Sequence, residues 1–248
     1  MSYKRRIMPV AGKPSDLTRA MIGIGMNFVG KGDPDANIED TIYFASIEGM
    51  ENDDLRTLAV LVTWFDVHSR WINADRLTRL VAESDSKRVR VFWSAVAKWK
   101  EKDRRFSRLA KQSARTRIDL LQAGSDYLIE RHGEDERFQS GPLRVPANVL
   151  RDRPADVLPP EVLAQRHHAY RFRIMMGPTY RADMWAMMEI KPTISAAELA
   201  RTTYGSFATA SQVKHDWQLL HPKEETLSET NTSRQTRKKP ESYRHHDQ

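Results

Sequence analysis

Runs of apolar residues spaced three and four apart, each preceded by a helix-capping residue, constrain this chain more than any other feature. One run follows Asp53-Asp54 and comprises Leu55, Leu58, Ala59, Val62 and Phe65. That spacing places all five side chains on one face of an α-helix, and a preceding aspartate accepts hydrogen bonds from the first backbone amides. Comparable patterns predict helices over 37–50, 55–67, 73–83, 86–111, 112–130, 160–176 and 180–189, with two more between 195 and 217. We therefore predict a mainly α-helical protein.

Proline positions and apolar content divide the predicted helices into two units. The predicted division is an irregular N-terminal arm (1–36), an N-terminal helical domain (37–130), a proline-rich linker (131–160), a C-terminal helical domain (161–222) and a disordered basic tail (223–248). Five prolines mark the linker, where short extended pieces are expected around 143–149. The tail has few apolar side chains, so it cannot bury a core.

Positive charge is concentrated in one segment of the chain. The sequence has 40 Lys and Arg against 33 Asp and Glu, a net charge of +7. Residues 86–118 alone hold 12 basic and two acidic residues, and both flanking segments are net acidic. A basic block between acidic flanks indicates an acidic partner, either double-stranded DNA or an acidic protein. The alternative is a solvated basic helix face that binds nothing.

Several classes of protein are excluded by what the sequence lacks. It contains no cysteine, which rules out disulfides, a cysteine nucleophile and thiolate metal sites. No apolar run approaches the ~20 residues of a membrane span. The N-terminal residues also lack the apolar segment of a signal peptide. We therefore expect a cytoplasmic protein without a membrane partner.

Two sequence patterns suggest cofactor or metal chemistry, and neither fits it well. Gly25–Lys31 matches a phosphate-binding loop, but Gly32 follows where a magnesium-binding Ser or Thr would stand. The adjacent His167 and His168 would point about 100° apart on a helix, so they do not converge on one metal. We expect no catalytic residues, no metal site and no cofactor.

The segment 194–217 has the pattern of two short helices joined by a tight turn. Ser195 and Glu198 predict a capping box at the first helix. Tyr204-Gly205-Ser206 predicts a turn in which Gly205 adopts a positive φ. Ser206 would then cap the second helix, which buries one face and turns the other outward. The predicted buried face comprises Phe207, Ala210, Val213 and Trp217, and the outward face comprises Thr209, Ser211, Gln212, Lys214 and His215.

Residues 180–220 resemble the helix-turn-helix core of bacterial winged-helix regulators. In that family a string similar to Glu198–Arg201 lies in the second helix, where a small alanine lets two helices approach. The resemblance implies that the outward residues at 209, 211, 212, 214 and 215 face DNA base edges, and that 161–222 includes a small β wing. Relative to Ala200 the glycine falls one place late, which suggests a turn lengthened by one residue. The alternative is an ordinary helical hairpin within a bundle.

A second segment, Ile72–Arg79, aligns with Ile194–Arg201 and suggests a second helix-turn-helix-like unit. The two-unit organisation resembles that of abortive-infection antitoxins. That resemblance implies a cognate toxin as a protein partner and a place in a toxin–antitoxin or phage-defence operon.

Pattern and charge together predict a DNA-binding transcriptional regulator or antitoxin-like autoregulator that is not an enzyme. A homodimer would suit a palindromic site. The predicted phosphate contacts are Lys87, Arg90, Lys98, Lys100, Lys102, Arg104, Arg105, Arg108, Lys111, Arg171, Arg173 and Arg201. The alternative is a protein-interaction module whose basic helix docks an acidic partner protein.

Overall fold

The computed structural model describes residues 7–9, 12–112 and 117–222. Within them the protein is mainly α-helical, as predicted, and the predicted tail 223–248 lies outside the described residues. The helices are α1 (Pro14–Gly23), α2 (Ile38–Glu51), α3 (Leu55–His68), α4 (Ala74–Ala82), α5 (Lys87–Trp99), α6 (Ser107–Ala110), α7 (Ser125–His132), α8 (Pro160–Arg166), α9 (His168–Met176), α10 (Tyr180–Ile190), α11 (Ala196–Thr202) and α12 (Phe207–Leu220). Two short strands, β1 (Ile118–Asp119) and β2 (Leu143–Arg144), pair in parallel.

Helix α3 lies at the centre of the larger of two apolar cores. Ten of its 14 residues are buried, against α2 on one side and the aromatic rings of α5 on another. The Phe65 ring lies 5.5 Å from Trp93 and 5.3 Å from Phe106, centroid to centroid. Asp54 caps α3 by accepting a 3.0 Å hydrogen bond from the Thr57 amide, as its position before the apolar run predicts.

Three predicted segments have a different structure. Residues 14–23 of the predicted irregular arm form α1. The helix predicted over 86–111 ends at Trp99, and after a turn the chain forms a 3-10 helix (Arg104–Phe106) and α6. Asp103 stabilises this break by accepting a hydrogen bond from the Arg105 amide. Within the helix predicted over 112–130, the described residues form β1 and then α7, which follows Gly124 with a φ of +79°.

Residues 131–160 are part of the larger core and do not form a linker. Phe138, Leu143, Val145 and Leu150 are all buried in it. The Arg117 guanidinium also donates hydrogen bonds to three backbone carbonyls between 138 and 143. The small sheet lies in this region, and the described residues 161–222, where a β wing was predicted, contain no strand.

Helices α8 and α9 also contribute to the larger core through Leu163 and Tyr170, while Phe172 of α9 packs against the smaller core. Tyr170 of α9 anchors them, because its hydroxyl donates to His68 Nδ1 (2.6 Å) and its amide donates to His167 Nδ1 (3.1 Å). Each histidine Nε2 faces a backbone carbonyl, which can only accept, so Nε2 carries the proton in both rings. Burial lowers the pKa of each histidine to about 4. Both rings are therefore neutral at pH 7.

Candidate nucleic-acid interface

Helices α10, α11 and α12 form a three-helix unit around the second apolar core. Its buried members are Met184, Trp185, Met188, Ile194, Leu199, Ala200, Ala210 and Val213. As predicted, Ser195 caps α11 and Ser206 caps α12, through hydrogen bonds from the Glu198 and Thr209 amides. The capping box is only half formed, since the Glu198 carboxylate pairs with Lys191 at 2.8 Å.

The turn between α11 and α12 places its left-handed residue at Tyr204, with a φ of +57°. The Gly205 amide donates to the Ala200 carbonyl (3.0 Å) and the Tyr204 amide to the Arg201 carbonyl (3.4 Å). This pair of bonds is the Schellman arrangement that closes a helix C-terminus. The left-handed residue thus lies four positions after Ala200. The predictions of a positive φ at Gly205 and of a lengthened turn are both wrong.

Gly205 packs closely against α10 and does not adopt a positive φ, so a side chain here would require the flexible end of Met184 to move. A Cβ built at this position would lie 2.2 Å from the Met184 Cε and 3.5 Å from the Tyr180 Cβ. The turn therefore lies directly against the first two turns of α10. This contact fixes where α12 begins relative to α10.

The apolar face of α12 is shorter than its spacing predicts. Ala210 and Val213 are fully buried, and the Trp217 ring lies 5.5 Å from Trp185. Phe207, predicted to be buried, is 48% exposed. It is the first residue of α12 and lies outside the second core, so it adds an aromatic ring to the accessible surface of the helix.

The five predicted base-contact residues divide into two groups. Ser211, Gln212 and His215 are exposed on α12, and the Gln212 amide donates to Asp216 Oδ1 at 2.8 Å. Thr209 and Lys214 are half-buried and already bonded, because Thr209 Oγ1 lies 2.8 Å from the Ser206 hydroxyl and the Lys214 ammonium donates to the Ile194 carbonyl. The outward surface of α12 thus offers two hydroxyl- or amide-bearing side chains and one imidazole.

A buried ion network joins this unit to the larger bundle. The Arg173 guanidinium, 1% exposed, bonds to Glu39 of α2 (Nη1 to Oε1, 2.6 Å) and to Asp183 of α10 (Nε to Oδ1, 2.7 Å). Burial alone would lower the pKa of Arg173, but the two carboxylates raise it above its usual range. Burial raises the pKa of Asp183 to about 6 in spite of Arg173. The prediction that Arg173 contacts phosphate is wrong, because DNA cannot reach it.

A second polar network holds the turn itself. The Tyr204 hydroxyl donates to Asp40 Oδ2 at 2.5 Å, and Asp40 Oδ1 pairs with Arg76 at 2.6 Å. The Arg76 guanidinium also lies 3.5 Å from the centroid of the Tyr204 ring. Burial raises the pKa of Asp40, and Arg76 and Tyr204 oppose that rise. These contacts could not be predicted from local sequence patterns, because the three partners come from α2, α4 and the turn before α12.

The predicted phosphate contacts fall into two groups, those already bonded to other groups of the protein and those without an ion-pair partner. Lys98, Lys100, Arg105 and Arg171 form ion pairs with Glu101, Asp66, Asp103 and Glu189, and Arg90 donates to the Ser84 carbonyl. The others are exposed and form no ion pair with a carboxylate among residues 7–9, 12–112 and 117–222; these are Lys87, Lys102, Arg104, Arg108, Lys111 and Arg201. Four of the six lie between 102 and 111, so the uncompensated charge is concentrated around α6.

No protein-family model matches this chain, and no curated protein or solved structure is significantly similar to it. Within the part of the chain that the structure describes, no helix has both the length and the apolar character needed to cross a bilayer.

Proposed function

We propose that this protein binds double-stranded DNA through the α10–α12 unit, with α12 as the recognition helix. The observation that carries the proposal is the combination of a Schellman turn, a capped second helix and an outward face of α12 that presents Ser211, Gln212 and His215. Such a unit places the first turns of its last helix in the major groove, where hydroxyl, amide and imidazole groups can bond to base edges. The exposed Phe207 ring would supply apolar contact with a thymine methyl group.

Electrostatics supports the same surface. Tyr180, which contacts the turn at Gly205, lies with Thr179 on one side of a groove whose other side carries Arg104 and Arg108. Uncompensated arginines in a groove that also includes the start of α10 would neutralise backbone phosphates and orient the duplex. A cytoplasmic transcriptional regulator, or an autoregulator of an antitoxin-like operon, is the role that we propose for such a module.

The test compares variants in α12 with a matched change elsewhere. Fluorescence anisotropy would measure the Kd for a duplex from the protein's own upstream region and for a scrambled duplex, at ~50 and ~200 mM salt. We expect Ser211→Glu and Gln212→Glu each to weaken binding to the upstream duplex ~10-fold or more, since each removes a base contact worth ~1–3 kcal/mol and adds a negative charge. Gln165→Glu, the same chemical change at an exposed position of α8, should bind as the unaltered protein does.

Equal affinity for both duplexes, or equal effects of Gln212→Glu and Gln165→Glu, would contradict recognition through α12. Absence of binding at low salt would contradict DNA binding altogether. The second candidate would then be a protein-interaction module, which is favoured by the exposed apolar side chains of Ile174, Met175 and Met176 at the end of α9. A stoichiometric partner protein that copurifies with the unaltered chain and is lost from a Met175→Glu variant would support it.

A further inference from the structure

A groove of about 590 Å³ lies where the larger bundle meets the α10–α12 unit. Its walls are the N-terminus of α4, the N-terminus of α10 and the segment 104–108, which ends in α6. We propose that this groove is a binding site for a phosphate group. Its donors come from both bundles, so a bound phosphate would bridge them.

Two arginines give the groove its net positive charge, and a third, Arg105, is ion-paired with Asp103. Arg104 and Arg108 are exposed and form no ion pair with a carboxylate of the described residues. Arg105 is fixed in the wall by Asp103 and by the backbone carbonyls of Ser69 and Arg70, so its charge is compensated. A planar guanidinium offers two parallel N–H donors to a phosphate, which makes arginine the strongest side chain for this purpose.

Asp75 is the carboxylate among the groove-lining residues, and its charge is largely compensated. Its Oδ2 lies 3.0 Å from Arg79 Nε, and the Tyr180 hydroxyl donates to the same oxygen at 3.0 Å. The net charge of the groove therefore remains positive. The hydrogen bond from Tyr180 to Asp75 also links the start of α10 to α4, and so fixes the distance between these two walls of the groove.

Neutral donors complete the site. The caps of the two helices, Asn73 for α4 and Thr179 for α10, both line the groove, so the positive ends of two helix dipoles open onto it. Asn73 is only 4% exposed, and its Oδ1 accepts from the Arg76 amide. Its Nδ2 has no hydrogen-bond partner among the described residues. Because that Nδ2 atom is itself almost inaccessible to solvent, it does not face the open groove, and the exposed Arg104 and Arg108 are the donors that a phosphate can reach. The hydroxyls of Thr78 and Ser107 add further donors.

The same chemistry fits two sources of phosphate, the DNA backbone and a free phosphorylated small molecule. The identification of DNA as the source rests on the proposed function, whereas the anion site itself does not. The groove lies beside Tyr180, which contacts the turn that precedes α12. A duplex whose bases face α12 would therefore bring its backbone close to this groove.

The experiment uses the full chain and the double variant Arg104→Gln/Arg108→Gln. Its control is Lys31→Gln/Arg166→Gln, which removes two exposed charges that lie outside the groove, are not among the predicted phosphate contacts and form no ion pair with a carboxylate of the described residues. Isothermal titration calorimetry with inorganic phosphate and with pyrophosphate, at constant ionic strength in chloride, would measure anion binding without DNA. We expect the groove variant to weaken binding of these anions ~10-fold or more, because each charged hydrogen bond contributes ~1.5–3 kcal/mol. The control should bind as the unaltered protein does. Equal anion binding by the groove variant and the unaltered protein, or no anion binding by either, would overturn the proposal.

A DNA titration distinguishes the two sources. If the groove variant also loses DNA affinity, and its salt slope falls by about two relative to the control, the phosphate belongs to the DNA backbone. If anion binding is lost while DNA affinity is unchanged, the site serves a free phosphorylated molecule. A protein that binds pyrophosphate through these arginines but binds no duplex would refute the proposed function and leave the anion site established.

Discussion

Replacement of Arg173 by methionine tests whether the buried ion network holds the α10–α12 unit in place. Methionine keeps most of the length of the side chain but removes every donor. Glu39, which is 0% exposed, and Asp183, which is 8% exposed, would then lose their shared cation. Removal of one member of a buried ion pair costs about 3–5 kcal/mol, because a carboxylate remains buried without compensation. We expect a loss of that size in the free energy of unfolding.

The assay is equilibrium urea unfolding followed by tryptophan fluorescence, with Arg171→Met as the matched control. Arg171 lies in the same helix, and its pair with Glu189 is 44% and 42% exposed, so its loss should cost less than about 1 kcal/mol. The triple variant Arg173→Met/Glu39→Gln/Asp183→Asn should recover part of the loss, since no charge remains to be compensated. A loss in Arg173→Met no larger than that in Arg171→Met would refute the reasoning.

Three further predictions concern stability. As pH falls from about 6.5 towards 4, His68 and His167 should each lower the free energy of unfolding by up to about 3 kcal/mol, because both rings become protonated in the unfolded chain while burial keeps them neutral in the folded protein. Asp183 should offset part of this loss, since its raised pKa favours folding as pH falls through about 6. Equal free energies of unfolding at pH 7 and 4.5 would contradict the prediction. Gly23→Ala should lower the free energy of unfolding in urea by about 1–3 kcal/mol, since its Cβ would lie 1.8 Å from the Asp33 carbonyl oxygen; an unchanged free energy of unfolding would contradict this close approach. Tyr204→Phe should cost about 1–2 kcal/mol in thermal unfolding, because it leaves Oδ2 of the partly buried Asp40 carboxylate without its donor while Arg76 still pairs with Oδ1; no change in Tm would contradict that role.

Local patterns were sufficient to predict most of the helical architecture. Capping residues and apolar spacing are properties of consecutive residues, so Asn37, Asp54, Asn73, Ser195 and Ser206 could all be predicted as caps before any tertiary contact was known. The same holds for the helix, turn and helix over 196–220. The sequence also located the excess of basic residues, although it could not show which of them are neutralised.

The role of individual polar side chains was decided only by tertiary structure. Arg173 has the same sequence surroundings as its exposed neighbour Arg171, yet it is buried because residues 134 positions away supply its carboxylate partner. Likewise, residues 131–160 have the composition of a linker but pack against α5 through Phe138 and Leu143. Sequence by itself therefore determined the helices, their caps and the sign of the surface charge. Burial depends on segments distant in the chain, so only the structure shows which charges are paired and which basic residues line a groove.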